Sequence, residues 1–368
     1  MSTNKEVKDG FLEFQQDYKK TPLLCGGSPG IFDTVNNKYP EIWDIYKEMK
    51  SLDWDENEVS YESCIGDFKR ADKATYDAMI KTLTWQWEAD SAVSRLGPLL
   101  APFISSSELW AAWQRISDNE VLHAITYSEI VRNSFENPQV IMDEILNINE
   151  TFNRLDIVEQ TLEDAFIKGR KYDLGEISHE EAYEIAIVTI AAILCLERIQ
   201  FISSFAVTFA IAQTGIFEPI GTIVQKIAQD ELEVHVKLDK AVLRHELATE
   251  RGKKVFEKNK QKINEIIDAV VLKEMEWTKY LFSDGRSLVG LNYELLSEFA
   301  MFNAKDVYNF FGMKPIADGI YLPEKNPLPY MNKWLDMSAH QPSPMEQDIT
   351  QYKTSVMVRD DDGMEFDF

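Results

Sequence analysis

The sequence has few cysteines and a shortage of positive charge. Cys25, Cys64 and Cys195 are scattered and form no C-x-x-C pair, which excludes a disulfide framework and a cysteine-based zinc site. The 38 basic residues against 62 acidic ones give a formal charge of −24, so nucleic acid and anionic membranes would repel the chain. We therefore expect neither as a partner, and the cysteine usage favours a reducing, cytoplasmic location.

Apolar runs of membrane-span length are also scarce. The first twenty residues lack the apolar segment of a signal peptide, which argues against secretion. One segment, 185–211, is long enough to cross a bilayer, but Glu197 and Arg198 lie at its midpoint, where charge in lipid costs most. We predict instead that this segment is a buried helix of a large soluble bundle.

Helical periodicity dominates the rest of the chain. An apolar share of 45% with 11% aromatic residues supports a sizeable core, and no run of alternating apolar and polar residues predicts strands. The pattern predicts an all-α domain over 31–336, an irregular arm over 1–30 and a polar, finally acidic tail over 337–368. Helices are predicted near 41–52, 57–67, 72–96, 106–135, 138–169, 178–214, 218–249, 252–283 and 290–312.

One predicted helix places polar side chains in its apolar stripe. In the stretch SDNEVLHAITYSEIV, the residues Glu120, His123 and Tyr127 continue the stripe that begins with Leu109 and Trp113. Alone, a Glu-x-x-His pair is more often a surface pair or a satisfied core pair. Tyr127 alone would be a core tyrosine with a hydrogen-bonded hydroxyl. Three neighbouring helices favour a different interpretation.

Each of these three helices carries an acid in its apolar stripe. Asp90 continues the stripe of the first, and Glu197 lies in the middle of the long apolar segment. Glu231 and His235 continue the stripe of the third. Glu197 alone could be an ion-pair partner of Arg198, but four inward acids on four helices point to a shared function.

Buried acids in this number require compensating cations. Four carboxylates in one core would be prohibitive without them, and two divalent metal ions would balance the charge. A carboxylate-rich set with two imidazoles suits iron or manganese better than structural zinc or calcium. It also matches the ligand pattern of di-iron four-helix bundles. The sequence thus predicts a buried dinuclear metal site between four core helices.

Several longer motifs surround these residues in a characteristic order. They are DWDENEV, ADS, NEVLHAITY, LERIQFISSF, AQDELEVH and NPLPYMNKW. With them the chain, from about residue 21 to its end, resembles the small subunit of class I ribonucleotide reductase, most like the class Ia form. The resemblance implies a ferritin-like bundle, a homodimer, that reacts with dioxygen. It also implies that the chain supplies a tyrosyl radical to a separate large subunit, which reduces ribonucleotides to deoxyribonucleotides.

The resemblance implies roles for individual residues. Two irons per chain are implied, with manganese also compatible, and Tyr127 is the implied radical tyrosine. The implied metal ligands, with carboxylates bridging, are Asp90, Glu120 and His123 for one ion and Glu197, Glu231 and His235 for the other. The implied radical pocket is lined by Phe201, Phe205 and Ile227. The implied radical-transfer residues are Trp54, Asp230, His123 and Tyr352.

The two ends of this transfer route have weaker support from the residues themselves. Outside the resemblance, Trp54 would be a packing aromatic at a helix start and Tyr352 an ordinary residue of a solvated tail. The final segment, RDDDGMEFDF, resembles the peptide by which this family docks on its large subunit. Without the resemblance it would be only an acidic tail.

One feature departs from the family pattern. The last ligand helix usually shows Glu-x-x-His, whereas Glu231 and His235 are one residue further apart. Both spacings keep the side chains on one face, so coordination remains possible. The extra residue predicts a bulge or an altered ligand geometry there. Two rival functions remain open: another ferritin-like di-iron oxidase, such as a hydroxylase or desaturase, and an iron-storage bundle.

Overall fold

The regular structure of the chain is helical. The computed structural model describes residues 18–26 and 32–336, and within these ranges the only extended pairings are two isolated bridges, Leu24 with Ile104 and Leu288 with Leu291. The all-α prediction is therefore confirmed for this part of the chain. The helices before the long apolar segment are α1 (Pro40–Ser51), α2 (Glu62–Arg70), α3 (Lys73–Val93), α4 (Leu96–Leu100), α5 (Ser107–Ser134), α6 (Pro138–Ile145) and α7 (Asn149–Asp173).

The second half of the bundle contains two helices that are each interrupted by a π-helical turn. One consists of α8 (His179–Cys195), the π turn Leu196–Phe201 and α9 (Ile202–Ala212). The other consists of α10 (Glu218–Gln229), the π turn Asp230–His235 and α11 (Val236–Leu247). The remaining helices are α12 (Glu250–Leu281), α13 (Tyr293–Phe311) and α14 (Tyr330–Trp334).

Side-chain caps set the starts of several long helices. The Asp72 carboxylate accepts a hydrogen bond from the Thr75 backbone N–H at the start of α3, and the Ser106 hydroxyl accepts one from Leu109 at the start of α5. Such caps satisfy backbone donors that have no partner inside the helix. They fix where α3 and α5 begin, and hence which residues face the core.

Four helical runs enclose the centre of the bundle. Helix α3 packs against α5 and α9, and α10 packs against both α5 and α9. The two π turns contact each other. Helices α7, α12 and α13 pack around the run that contains α8 and α9, which therefore lies in the middle of the molecule.

The membrane-like segment is part of this central run. The run His179–Ala212 is 34 residues long and apolar enough to span a membrane, but 89% of its most apolar stretch is buried inside the protein. The prediction of a buried core helix is confirmed. Arg198, which made a membrane span improbable, reaches outward to Asp306 (Nε–Oδ2 2.9 Å) and Asn303 (Nη1–Oδ1 2.6 Å).

Three details differ from the helices predicted by sequence. The predicted helix 138–169 is two helices, because the chain turns after Ile145 and the Asn147 side chain bonds the Asp143 carbonyl (2.6 Å) at the end of α6. The predicted helix near 57–67 begins only at Glu62. The gap between the predicted helices 72–96 and 106–135 contains most of the short helix α4 and a 3₁₀ turn.

A glycine lets α4 approach α5 closely. A Cβ on Gly97 would lie 2.4 Å from the Ser117 Oγ, and the Gly97 backbone N–H donates to that oxygen at 2.7 Å. A larger residue would push α4 away from the start of the ligand-bearing half of α5.

Candidate metal centre

Helix α5 carries three of the predicted polar residues into the core. Glu120, His123 and Tyr127 are at most 1% exposed, as their place in the apolar stripe predicts. Asp90, near the end of the neighbouring α3, is also completely buried. The contact between α3 and α5 thus brings the first acid to the same side as the α5 residues.

The other three predicted ligands come from the two π turns. Glu197 lies in the first, and Glu231 and His235 lie in the second. A π turn contains one extra residue, which rotates the following side chains, and such turns often occur at functional sites. The bulge expected from the Glu231–His235 spacing is present. The π turn around Glu197 was missed, and the sequence gives no spacing that would reveal it.

The six predicted ligands form two overlapping groups. Within each group, one donor atom from every residue lies within 4.8 Å of the others. Both groups contain Glu120 and Glu231, so each of these carboxylates can serve two ions. The first group is Asp90, Glu120, His123 and Glu231, and the second is Glu120, Glu197, Glu231 and His235.

Both imidazoles turn the same ring nitrogen toward the shared carboxylates. The His123 Nδ1 lies 3.3 Å from Glu120 Oε2 and 3.2 Å from Glu231 Oε1. The His235 Nδ1 lies 2.9 Å from Glu231 Oε2 and 3.3 Å from Glu120 Oε1. Nδ1 is therefore the coordinating atom available on each histidine.

The buried carboxylates of the cluster shift the pKa values of its members in the directions that favour added positive charge. Burial raises the pKa of Asp90 and of Glu197 well above their usual range, and neighbouring carboxylates raise both further. Burial would lower the pKa of His235, but Glu231 and Glu120 raise it to about 10. Burial would raise the pKa of Glu231, yet His235 and His123 hold it below its usual value. The pKa of His235 therefore lies above neutral pH, and its imidazole favours the cationic form among these carboxylates.

Several possible ligand atoms of the cluster lack hydrogen-bond partners, as expected of atoms that bind divalent ions. Buried polar groups normally have hydrogen-bond partners, whereas in the described part of the chain many atoms of this cluster have none. These atoms are both carboxylate oxygens of Asp90 and of Glu120, Glu197 Oε2, Glu231 Oε1 and His123 Nδ1. Carboxylate oxygens with two imidazole nitrogens are ligands suited to iron or manganese.

Tyr127 lies one turn beyond His123 in a dry environment. Its hydroxyl is buried and has no hydrogen-bond partner within ordinary limits. Burial raises the pKa of this phenol well above its usual value, and the negative charge of Asp90 adds to the effect. The phenol is therefore protonated at neutral pH. The predicted pocket residues Phe201, Phe205 and Ile227 are completely buried.

Trp54, Asp230 and His123 form a continuous hydrogen-bonded chain. The Trp54 Nε1–H donates to Asp230 Oδ2 at 2.8 Å, and the same oxygen lies 3.1 Å from His123 Nε2. The Trp54 ring also stacks on the His123 ring, with centroids 5.9 Å apart and planes inclined by 15°. The structure thus brings together three residues that are far apart in sequence.

Two further buried polar residues had no role in the sequence interpretation. Asn119 donates from Nδ2 to Asp230 Oδ2 at 3.2 Å, and its position directly before Glu120 was the only signal for it. Asp239 lies one turn after His235 and is 1% exposed. Its spacing of four residues from a predicted ligand could have drawn attention to it. Tyr352 and the acidic tail 337–368 lie outside the described residues.

Comparisons with known proteins show the family of the chain. The family model described as "Ribonucleotide reductase, small chain" matches residues 31–327. The ribonucleoside-diphosphate reductase subunit beta of Buchnera aphidicola (Schizaphis graminum) is 27% identical, with 97% of each chain covered.

Two solved structures share the fold. The ribonucleotide reductase R2 subunit from Clostridium botulinum has a TM-score of 0.73 and 21% identity, covering 85% of this chain and 94% of its own. Dimanganese(II)-NrdF from Streptococcus sanguinis has a TM-score of 0.61 and 16% identity, covering 78% and 93%. The family match extends over the whole ligand set and the Trp54 chain. This helical, ferritin-like bundle belongs to the ribonucleotide reductase small-chain family.

Proposed function

We propose that this small subunit binds two metal ions between its four core helices and uses them to oxidise Tyr127 to a stable radical. The radical then serves a separate large subunit, which reduces ribonucleoside diphosphates. The observation that carries the proposal is the pair of overlapping ligand groups sharing Glu120 and Glu231, with the buried phenol of Tyr127 one turn away on α5.

The bound metal pair would supply the reduction of dioxygen and the oxidising power needed to remove an electron from a phenol. The chain's own residues would do the rest. Asp90, Glu120 and His123 would hold one ion, and Glu197, Glu231 and His235 the other, with the shared carboxylates bridging. Iron is the metal that we propose, with manganese as the alternative, since both accept this ligand set.

Oxidation of Tyr127 also requires that its proton leaves. The phenol is neutral and has no hydrogen-bond partner in the described structure, and Asp90 is the first charged group that raises its pKa. We propose that the Asp90 carboxylate takes up the phenolic proton as the electron leaves. Complete burial among apolar side chains, Phe201, Phe205 and Ile227 included, would exclude water and reductants from the radical.

The oxidising equivalent would leave through the chain of His123, Asp230 and Trp54. Continuous hydrogen bonds allow protons to shift together with electrons along this chain. Tyr352 would relay the equivalent onward, and the acidic tail 337–368 would dock on the large subunit. We propose a cytoplasmic homodimer with no nucleic-acid or membrane partner.

The two rival functions agree less well with the chain. A hydroxylase or desaturase would use the same six ligands but has no need for the hydrogen-bonded route from Trp54 to His123. An iron-storage bundle needs neither that route nor a docking tail. Membership of the small-chain family over residues 31–327 also argues against both.

The proposal is tested by loading the metal-free protein with Fe(II) without oxygen, admitting air and recording an electron paramagnetic resonance spectrum. We expect a tyrosyl signal that is absent in Tyr127→Phe. Tyr183→Phe is a matched control, because Tyr183 is equally buried but bonds Glu246 (2.7 Å) rather than facing the ligands. A signal that persists unchanged in Tyr127→Phe would overturn the assignment. A parallel Mn(II) loading shows which metal supports the radical.

A further inference from the structure

A further buried carboxylate lies close to the ligand cluster and has no assigned role. Asp239 is on α11, one helical turn after His235, and neither of its carboxylate oxygens has a hydrogen-bond partner in the described structure. It belongs to neither of the two ligand groups. A buried acid without a partner is costly, so its presence indicates a partner that the metal-free arrangement does not provide.

His235 offers the complementary atom. Its Nδ1 faces Glu231 and Glu120, whereas its Nε2 is buried and has no partner. Burial raises the pKa of Asp239 well above its usual value, and the positive charge of His235 is the strongest effect that opposes this rise. One turn of helix places residues i and i+4 on the same face. A carboxylate and a ring nitrogen that both lack a partner thus lie one helical turn apart, without a hydrogen bond between them in the described structure.

The other ligand histidine shows how such a pair works. The His123 Nδ1 faces the shared carboxylates, and its Nε2 lies 3.1 Å from Asp230 Oδ2. Metal-bound histidines commonly donate their second N–H to a carboxylate, which fixes the tautomer and the ring orientation. At His123 the acceptor comes from the opposite helical run. At His235 the candidate acceptor is on its own helix.

We propose that Asp239 is the positioning residue for His235, accepting a hydrogen bond from its Nε2–H when a metal ion occupies Nδ1. In the structure the His235 imidazole is held through Nδ1 by a hydrogen bond with Glu231 Oε2 at 2.9 Å. A metal ion at Nδ1 displaces that proton, and the neutral ring then carries its single proton on Nε2. Asp239 accepts from this N–H and holds the ring in line with the second metal position. The inference rests on the proposed metal-binding function.

The test compares Asp239→Leu and Asp239→Asn with the unaltered protein by anaerobic Mn(II) titration, following the electron paramagnetic resonance of free Mn(II). This readout measures binding and not activity. We expect two ions per chain in the unaltered protein and a loss of about 10- to 100-fold in affinity for one of them in Asp239→Leu, as for other partners of ligand histidines. Asp239→Asn keeps an accepting oxygen, so we expect it to restore much of the affinity.

Melting temperatures separate positioning from a general role in folding. Removing an unpaired buried acid removes a destabilising group, so without metal we expect Asp239→Leu to melt no lower than the unaltered protein. On adding Mn(II), we expect its melting temperature to rise less. Unchanged affinity for both ions in Asp239→Leu would overturn the proposal, as would an equal fall of the melting temperature with and without metal. Failure of the unaltered protein to bind two ions would instead overturn the proposed function, and with it the role of Asp239.

Discussion

At the scale of single residues, the buried imidazole of His235 favours its charged form. Burial would lower the pKa of His235, but Glu231 and Glu120 raise it from 6.5 to about 10. Because the folded value lies above the unfolded one, the protonated imidazole contributes its full stability below about pH 6.5. That contribution is lost as the pH rises through about 10.

This predicts that the stability of the metal-free protein falls with rising pH while its affinity for metal rises. Relative to His235→Gln, which cannot titrate, we expect the metal-free protein to lose stability between pH 6.5 and about pH 10. Metal binding releases the imidazole proton, so its affinity should rise over the same interval. Denaturant midpoints at constant ionic strength, with and without Mn(II), measure both effects. Equal pH slopes for the unaltered protein and His235→Gln would contradict the first.

The indole N–H of Trp54 is a second feature that a single substitution isolates. Trp54→Phe keeps an aromatic ring over His123 but removes the donor to Asp230 (2.8 Å). We expect the tyrosyl radical to form normally while nucleotide reduction with the large subunit falls at least about tenfold, since losing a charge-assisted hydrogen bond changes a barrier by about 1.4 kcal/mol or more.

A matched control for this substitution lies on α5. Trp110→Phe alters a tryptophan that is 42% exposed and lies outside the hydrogen-bonded chain. It should leave both the radical yield and the reduction rate unchanged. A reduction rate in Trp54→Phe equal to that of Trp110→Phe would remove Trp54 from the route.

Helical phase in the sequence was sufficient to predict which acids turn inward, but not what each one contacts. Asp90, Glu120 and Glu197 are buried because each continues an apolar stripe, and a stripe is a local property of the chain. The Asn119–Asp230 hydrogen bond joins residues 111 positions apart, and no local pattern encodes such a pair. Asp239 was missed although it lies only four residues after His235, because its significance depends on which ring nitrogen of His235 faces it.

At the scale of elements, a buried ionic network supports the first π turn. Arg154 of α7 makes a bidentate pair with Glu274 of α12 (2.5 and 2.7 Å) and donates from Nη2 to the Gln200 carbonyl at 3.0 Å. The Gln200 side chain returns a hydrogen bond to the Arg154 carbonyl at 2.9 Å. A π turn disturbs the normal helical hydrogen bonds, and this network provides partners for the backbone of the turn that carries Glu197.

Breaking this network should therefore be strongly destabilising. Glu274→Ala leaves the Arg154 guanidinium buried without its partner, and we expect a loss of about 3–5 kcal/mol in the free energy of unfolding. Glu250→Ala is the matched control on the same helix, since Glu250 makes only an exposed pair with Lys253; its effect should be within about 0.5 kcal/mol. Denaturant unfolding measures both. A loss below about 1 kcal/mol in Glu274→Ala would show that this network does not stabilise the π turn.

Element boundaries were less predictable than element faces. The periodic pattern continues through 146–148, so it does not show that α6 ends at Ile145 and α7 begins at Asn149. The extra residue between Glu231 and His235 did predict an irregular turn, because a known ligand pair supplied a reference spacing. Around Glu197 there is no second ligand on the helix, so its π turn left no trace in the sequence.

At the scale of the whole molecule, the formal charge of −24 and the acidic tail favour docking on a basic surface of the large subunit. Deleting residues from Arg359 to the end should leave the tyrosyl radical intact and abolish nucleotide reduction with the large subunit. Radical content by paramagnetic resonance and the rate of deoxyribonucleotide formation measure the two effects. Undiminished reduction by the truncated protein would show that the tail is not the docking element.

A synthetic peptide provides the control for this truncation. A peptide of the last ten residues, RDDDGMEFDF, should inhibit reduction by the full-length protein, because it competes for the same surface of the large subunit. Because charges in solution are screened by salt, inhibition should weaken as ionic strength rises. A scrambled peptide of the same composition should inhibit less, since Met364, Phe366 and Phe368 would no longer hold their spacing.

The complete burial of the ligands also governs how the centre is assembled. Each of the six ligand residues is at most 1% exposed, so we expect that an ion from solution does not reach them in the closed bundle. Metal loading then requires local opening of the helices, so the rate of metal binding is set by this opening rather than by diffusion. The enclosure that would preserve the radical thus also sets the pace at which the centre is filled.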